Sequence, residues 1–529
     1  MLMKKWRQHL AAILANHTTL VAGLVLGWTS PALPGLNLTN DQESWVGSLA
    51  LLGALLGAVP AGCLTDRFGR KRFLLSLSLP FILGWGLIVA ALWVDTKADV
   101  WMLYAGRLIC GLAVGATTVA VPLYTNEIAE DKVRGALGVY LDMMLTTGIL
   151  VVYCLGAAFD ALWLSAICAA TSPVLAVAFL FMPESPTYLL ADGKPEKSEN
   201  ALRWLRVRRA DDTEIQLELA RIRSIVESGA QGGGPHANGH PNGVPGVANG
   251  LVSDKEVAAA ECGASQGLTA TPAVAVAGDD MKSALRKVVD HVACRTPTGK
   301  AFFIVMGLMT FMQLSGIDAV IFYLGEIFRD AGSTMSPLYA SIVVGFVQVV
   351  ANVSSAIAVD RVGRRVLLIL SEALMAASLA SLALYFHLRD DRHINVSAEY
   401  GWVPIVALSV FVWVFAFGIG SLPWFMMAEL LPTEAQDWGS SSAICLNWSL
   451  GFLVTNVFGS MIRDMGAAAT YGVFCSICVL GTLFMAFLVP ETKGRSPDEI
   501  QRLLELPTRQ LGTRSALKKK DKSNKTSKV

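Results

Sequence analysis

Charge is what this sequence has least of. Only 16% of its 529 residues are Asp, Glu, Lys or Arg, against about 25% in a soluble globular chain, so a surface facing water on all sides is excluded. The 43 basic and 42 acidic residues leave a net charge of +1, which excludes a bulk polyanion binder and argues against nucleic acid as a partner. Cysteine is scarce too: nine are too few for a disulfide scaffold. Cys63, Cys110, Cys154, Cys168, Cys445, Cys475 and Cys478 lie inside apolar stretches, where they pack as small hydrophobes. Cys475 and Cys478 have CxxC spacing but no histidine or second pair beside them, and His236 and His240 lack a further ligand. No metal is expected. With no Ser/His/Asp set and no phosphate loop, neither an enzyme nor a cofactor is expected. What the chain has in plenty is apolar length: 53% hydrophobic residues and a mean hydropathy of +0.50, the composition of a helical integral membrane protein.

About 20 apolar residues cross a bilayer. Twelve segments qualify: 10–30, 44–64, 73–93, 101–121, 135–157, 162–182, 301–323, 337–359, 366–386, 402–424, 440–461 and 469–489. The first is expected to stay as an uncleaved anchor, since no small-residue cleavage site follows it. Basic residues sort to one side. Lys4, Lys5 and Arg7 precede the first span, Arg67, Arg70, Lys71 and Arg72 fill the second connection, Arg361, Arg364 and Arg365 the eighth, and Lys518, Lys519 and Lys520 the tail. The positive-inside rule then puts both termini in the cytoplasm.

The spans divide into an N-terminal six-helix bundle (1–182) and a C-terminal one (301–489). A cytoplasmic linker (183–300) joins them and a cytoplasmic tail (490–529) follows. The linker starts with short amphipathic helices. Its middle, about 228–280, contains Gly232-Gly233-Gly234 and much Pro, Asn and Ala; such a composition cannot bury a core and reads as a disordered insertion.

The two bundles repeat one another. Asp66-Arg67-Phe68-Gly69-Arg70-Lys71 follows the second span and Asp360-Arg361-Val362-Gly363-Arg364-Arg365 the eighth. Positive-inside flanking explains the basic residues but not the Asp or the Gly. Repeats with a site between them are a transporter plan.

Further motifs carry a family resemblance. These are Gly106-Arg107 with Gly111 and Gly115; Pro122-Leu123-Tyr124 to Glu127; Arg134-Gly135; Pro183-Glu184-Ser185-Pro186; Gln313-Leu314-Ser315-Gly316-Ile317; Pro423-Trp424-Phe425; Asn447-Trp448; and Pro490-Glu491-Thr492-Lys493-Gly494-Arg495. With them the chain resembles the sugar porter family of the major facilitator superfamily. Its short first external loop and the run Gly27-Trp28-Thr29-Ser30-Pro31-Ala32-Leu33-Pro34 look like the class III facilitative glucose transporters and the insect trehalose transporters. The resemblance implies an all-α membrane fold of twelve helices in two six-helix bundles. It implies a hexose or related sugar as the small-molecule partner, moved by alternating access as a uniporter, with the bilayer as the other partner and no oligomer required. Asn395-Val396-Ser397 fits the glycosylation site of those branches, and Asn37-Leu38-Thr39 is a second external sequon. The plasma membrane is favoured over an internal one, since no acidic dileucine signal precedes the first span.

The family's sugar ligands map here onto Gln313 and Asp318, with Tyr323 near the outer gate, and onto Gln348, Trp424, Asn447 and Asp142. Three amide positions have changed: Asp142 and Asp318 are acids, and Met312 replaces a glutamine. An ionised Asp at mid-helix costs roughly 2.5–3.5 kcal/mol to insert. The alternative reading is therefore a proton-coupled symporter using Asp142 or Asp318, with the proton as a further partner. Against it, the family's coupling acid lies in the first span, near Thr29, where this chain has none. A non-transporting sugar sensor is a third reading, served by the linker and tail.

The inner gate expected from the family is Asp66, Arg70, Glu127, Arg134 and Glu184 in the first half, and Asp360, Arg364, Arg365, Glu429, Glu491 and Arg495 in the second. Thr187 and Gln436 stand where the family has basic residues. Their loss weakens the latch and predicts a bias toward the inward-open state. The pairs Gly53/Gly57 and Gly111/Gly115 have the spacing of close helix packing.

Overall fold

The computed structural model describes residues 5–94, 99–130, 133–206, 213–231, 296–391, 397–493, 495 and 497–505. Among the described residues, eleven helices are long and apolar enough to cross a membrane. Six belong to the first half: Trp6–Gly35, Asn40–Phe68, Arg70–Val94, Val100–Ile128, Leu137–Ala158 and Ala161–Phe179. The second half has Pro297–Ala331, Pro337–Ser355, Arg364–Asp390, Val403–Leu430 and a long Trp438–Leu488. That last helix is broken at Gly466 (φ 85°), so it supplies the eleventh and twelfth spans. The ends differ from hydropathy by a few residues, chiefly at the first span, which starts at Trp6 and is interrupted at Asn16 and Trp28. At the first break the Asn16 side chain donates to the Ala12 carbonyl at 2.8 Å.

The halves pack by the same scheme. The second span lies on the fourth as the eighth lies on the tenth, the third on the fourth as the ninth on the tenth, and the first on the fifth as the seventh on the eleventh. Across the halves, the second span meets the eleventh and the fifth meets the eighth. The second and fourth spans approach closely because their facing positions are glycine. A Cβ at Gly53 would sit 2.2 Å from the Leu108 carbonyl oxygen, and one at Gly115 only 1.9 Å from that of Ala54. This bears out the packing reading of those glycines within the chain.

The repeated motif is built twice. Gly69 has φ 93° and Gly363 φ 109°, a backbone that side chains disfavour. Each glycine turns the chain sharply into the next helix, whose exposed N–H groups face a carboxylate. Glu184 accepts from the Lys71 N–H at 2.8 Å, and Glu491 from the Arg364 N–H at 3.0 Å. The long basic side chains complete the match: Lys71 reaches the Leu180 carbonyl at 2.7 Å, and Arg365 reaches that of Ala486.

The linker begins with helices Pro186–Ala191, Pro195–Arg206 and Thr213–Gln231. Leu202, Ile215 and Leu219 form a small core between the last two. Arg206 fastens them to the bundle, 2.6 Å from Glu218 and donating to the Ile128 carbonyl at 3.0 Å. Beside it, Glu130 accepts from Lys5 at 2.7 Å and Gln8 at 2.8 Å. Burial alone would raise the Glu130 carboxyl, but the bonds from Lys5 and Gln8 and the charge of Arg206 bring it below the ordinary carboxylate range. Helix Thr213–Gln231 enters the first residues of the expected insertion, and the rest of 228–280, with His236 and His240, lies outside the described residues. After the twelfth span, helix Pro497–Leu504 returns to the bundle, where Gln501 donates to the Leu430 carbonyl at 2.8 Å.

Candidate functional site

One cavity of about 660 Å³ lies between the halves. Six of the seven expected sugar ligands line it: Asp142, Gln313, Asp318, Gln348, Trp424 and Asn447. On an unbroken helix Gln313 and Asp318 would point about 140° apart, at about 100° per residue. The seventh span solves this by stopping at Leu314, turning at Gly316 (φ 87°) and restarting at Ile317. Both side chains then face the same space. The tenth span breaks likewise at Gly418 and resumes at Leu422, which sets Trp424 on its second piece.

Tyr323, expected near the outer gate, is the exception among the seven in not lining the cavity. It is absent from the cavity wall, is buried, stacks on Phe458 at 5.4 Å and donates to the Thr455 carbonyl at 3.3 Å. A second departure from helical geometry at Tyr323 itself (φ −110°) accompanies this placement. The residue belongs to the packed end of the bundle above the cavity.

That end is sealed across the two halves. The Gly325 N–H donates to the Ser30 hydroxyl at 3.0 Å, the Tyr153 hydroxyl to the Ile321 carbonyl at 2.8 Å, and the Asn456 amide to the Ser48 hydroxyl at 3.0 Å. Arg463 and Asp41 pair at 3.2 Å at the rim. The cavity runs the other way. Its wall continues through Asn16, Thr125, Asn126, Gly138 and Glu429, toward the face that carries Lys5 and the two repeated motifs.

Around the cavity on that face stand the latch residues. Arg70 lies 2.9 Å from Asp66 and 3.0 Å from Glu127, with the Tyr188 ring 5.1 Å away. Glu127 also accepts from the Ser185 hydroxyl. Arg364 lies 3.0 Å from Glu429. None of these contacts joins one half to the other; the ion pairs lie within a half, and Ser185 and Tyr188 come from the start of the linker. The Arg495 N–H donates to the Thr492 carbonyl at 3.2 Å. The side chains of Arg134 and Asp360 lie outside the described residues, as does Asn395. Asn37 is exposed in the loop before the second span, with Thr39 of its sequon capping that helix.

Hydrogen bonds orient the site amides. A thioether sulfur only accepts, so Asn447 must turn its NH₂ toward Met309 (3.8 Å) and Met312 (3.7 Å). Its carbonyl oxygen is left to accept from Gln313 at 3.1 Å. Asp318 lies one broken turn away on the same span and shares the cavity wall with Gln313. Gln313 Oε1 and Asp318 Oδ2 remain without partners, as do the donors Trp448 Nε1 and Ser421 Oγ in the same wall. Asn352 and Thr146 close the opposite side with a 3.0 Å bond between the halves.

Asn352, Thr146, Asn16, Trp448 and Ser421 line the cavity as well, beyond the ligands expected from the sequence. Asn352 was detectable: it lies one helical turn after Gln348, and a polar residue inside a span faces a cavity or a partner. Asn16 had a weaker signal, a single amide near the start of an apolar run. Among the described residues no cluster of three or more metal-binding side chains occurs.

Comparison with known proteins agrees with this architecture. A family described as "Sugar (and other) transporter" matches residues 12–234 and 251–504. The facilitated trehalose transporter Tret1 of Bombyx mori is 32% identical over 511 residues, 96% of this chain and 88% of that protein. Its namesake from Apis mellifera ligustica is 31% identical over 98% of this chain and 92% of its own. Among solved structures, the proton:xylose symporter XylE bound to 6-bromo-6-deoxy-D-glucose superposes with a TM-score of 0.68 at 22% identity, covering 95% of this chain and all of that one. The inward-open conformation of the xylose transporter XylE from E. coli gives 0.67 at 20% identity, covering 94% and 98%. The structures establish the twelve-helix major facilitator fold, and the sequence matches establish descent: the chain belongs to the sugar porter family and is a multi-pass membrane transporter, not an enzyme.

Proposed function

We propose that the protein carries a sugar, a hexose or a disaccharide such as the trehalose named for its relatives, down its gradient by alternating access. The observation that carries this reading is the cavity. It is lined by polar and aromatic side chains from both halves, closed at one end by bonds between the halves and extended at the other past the latch. Hydroxyls of a sugar would meet Gln313, Asp318, Gln348, Asn447 and Asp142, and its apolar ring face would meet Trp424. In the topology we infer, both termini, the linker and the tail are cytoplasmic, the plasma membrane is the site of action, and Asn37 and Asn395 accept glycans. The cavity then faces inward, in keeping with the bias expected from Thr187 and Gln436. The division into bundles 1–182 and 301–489, linker 183–300 and tail 490–529 is part of the same proposal.

Coupling to protons through Asp142 or Asp318 is the second reading, favoured by the unpartnered Asp318 oxygen in the cavity wall. One experiment separates the two. Labelled hexose uptake into proteoliposomes is competed with a panel of unlabelled sugars, with and without an imposed pH gradient. Uniport gives uptake that follows the sugar gradient alone. Uphill uptake driven by the pH gradient would replace uniport with symport, and no uptake of any sugar would overturn the carrier reading.

A further inference from the structure

The cavity has an imbalance that a neutral sugar does not answer. Its described lining contains three acidic residues, Asp142, Asp318 and Glu429, and no Lys, Arg or His. Glu429 is compensated by Arg364. Asp142 comes from the first half and Asp318 from the second, and no described cation pairs with either.

The hydrogen bonds sharpen this. The NH₂ of Asn447 is turned to Met309 and Met312, that of Gln313 to Asn447, and that of Asn352 to Thr146. Asn447, Gln313 and Asn352 thus each commit an amide donor within the protein, which leaves Gln348 as the site amide that makes no such bond among the described residues. Gln313, only 4% exposed, keeps a free acceptor oxygen, and Asp318 keeps another. A ligand that fills these vacancies needs several N–H or O–H donors and one positive charge. The unpartnered Trp448 N–H and Ser421 hydroxyl in the same wall suit the oxygens of a saccharide ring.

We propose that the site prefers an amino sugar, a saccharide carrying a protonated primary amine, over its neutral parent. This rests on the carrier reading above. An ammonium group brings three donors and the charge that Asp142 and Asp318 lack. The remaining hydroxyls and the ring face use the same amides and Trp424 as a neutral sugar does.

The test measures uptake of radiolabelled D-glucosamine, N-acetyl-D-glucosamine and D-glucose by the full-length chain in proteoliposomes at pH ~7, below the pKa of an amine. Glucosamine is expected to half-saturate transport at about a tenth of the glucose concentration, the scale of one charge-assisted hydrogen bond. The N-acetyl compound, which has the same ring without the charge, should behave like glucose. The glucosamine-to-glucose ratio should fall toward unity in Asp142→Asn and in Asp318→Asn, a readout independent of how active each variant is. Where a variant does not insert, titrating the tryptophan fluorescence of the unaltered protein with the three compounds reads the same order, because Trp424 and Trp448 line the site. Equal half-saturation for glucosamine and glucose overturns the preference and leaves the sugar carrier standing. Failure of all three compounds while labelled trehalose is carried overturns the preference alone, and failure of trehalose as well overturns both.

Discussion

The two halves share one plan and differ in how fully each is satisfied. In the first, Arg70 is held by Asp66, Glu127 and the Tyr188 ring, and Glu127 also takes the Ser185 hydroxyl. In the second, the matching pair is Arg364 with Glu429, where Arg364 Nε and Glu429 Oε2 have no partner and Glu429 borders the cavity. The same contrast runs through the interiors. Arg107 is fully buried in the fourth span, and only its Nη2 lacks a partner. It donates to the carbonyls of Val46 at 2.9 Å and Val25 at 2.6 Å and lies over the Trp28 ring at 5.4 Å. Glu372 is equally buried in the ninth span, and neither carboxyl oxygen has a hydrogen-bond partner. The first half thus reads as the settled member of the pair. The second keeps unspent hydrogen-bonding capacity, as an element that exchanges partners during a transport cycle requires.

The strongest way to break this contrast is at the buried charges. Arg107→Ala removes two hydrogen bonds from a charged donor and leaves a void where three helices meet. It is expected to cost about 3 kcal/mol or more, read as a large fall in the melting temperature of the purified protein. A small change would mean that Arg107 is not the tie between the first, second and fourth spans. The latches come next. Arg70→Ala should cost about 2 kcal/mol and Arg364→Ala about 1, in the order of their partners. Equal losses, or a larger one at Arg364, would erase the asymmetry. The smallest effect has the opposite sign. Glu372→Met replaces an unsatisfied buried carboxyl with an apolar side chain of similar length and should raise stability by about 1 kcal/mol. A destabilised variant would show that the carboxyl has a partner or a task in the cycle.

Much of this was legible in the residue order. Hydropathy located all twelve spans, because crossing a bilayer is a demand that each segment meets alone. The duplicated Asp-x-x-Gly-Arg motif announced the repeat, and its glycines do adopt positive φ. Six of the seven ligand positions carried over by resemblance line the cavity. Which of them contact the cavity was not legible: Tyr323 lies on the same broken helix as Asp318, yet it sits in the packed end and not in the cavity wall. Asn352 was legible as well, one helical turn after Gln348 on the same span.

The sequence by itself determined the membrane class, the number of spans, the sorting of basic residues to one side and the internal repeat. These depend on local composition and on matches along the chain. Tertiary structure decided which polar atoms remain unsatisfied. That Asn447 turns its NH₂ to two methionine sulfurs, and so leaves Gln313 and Asp318 as bare acceptors, depends on side chains from two different helices meeting across the second half. No pattern within either helix contains that information, because a hydrogen bond is fixed by the partner it finds in space.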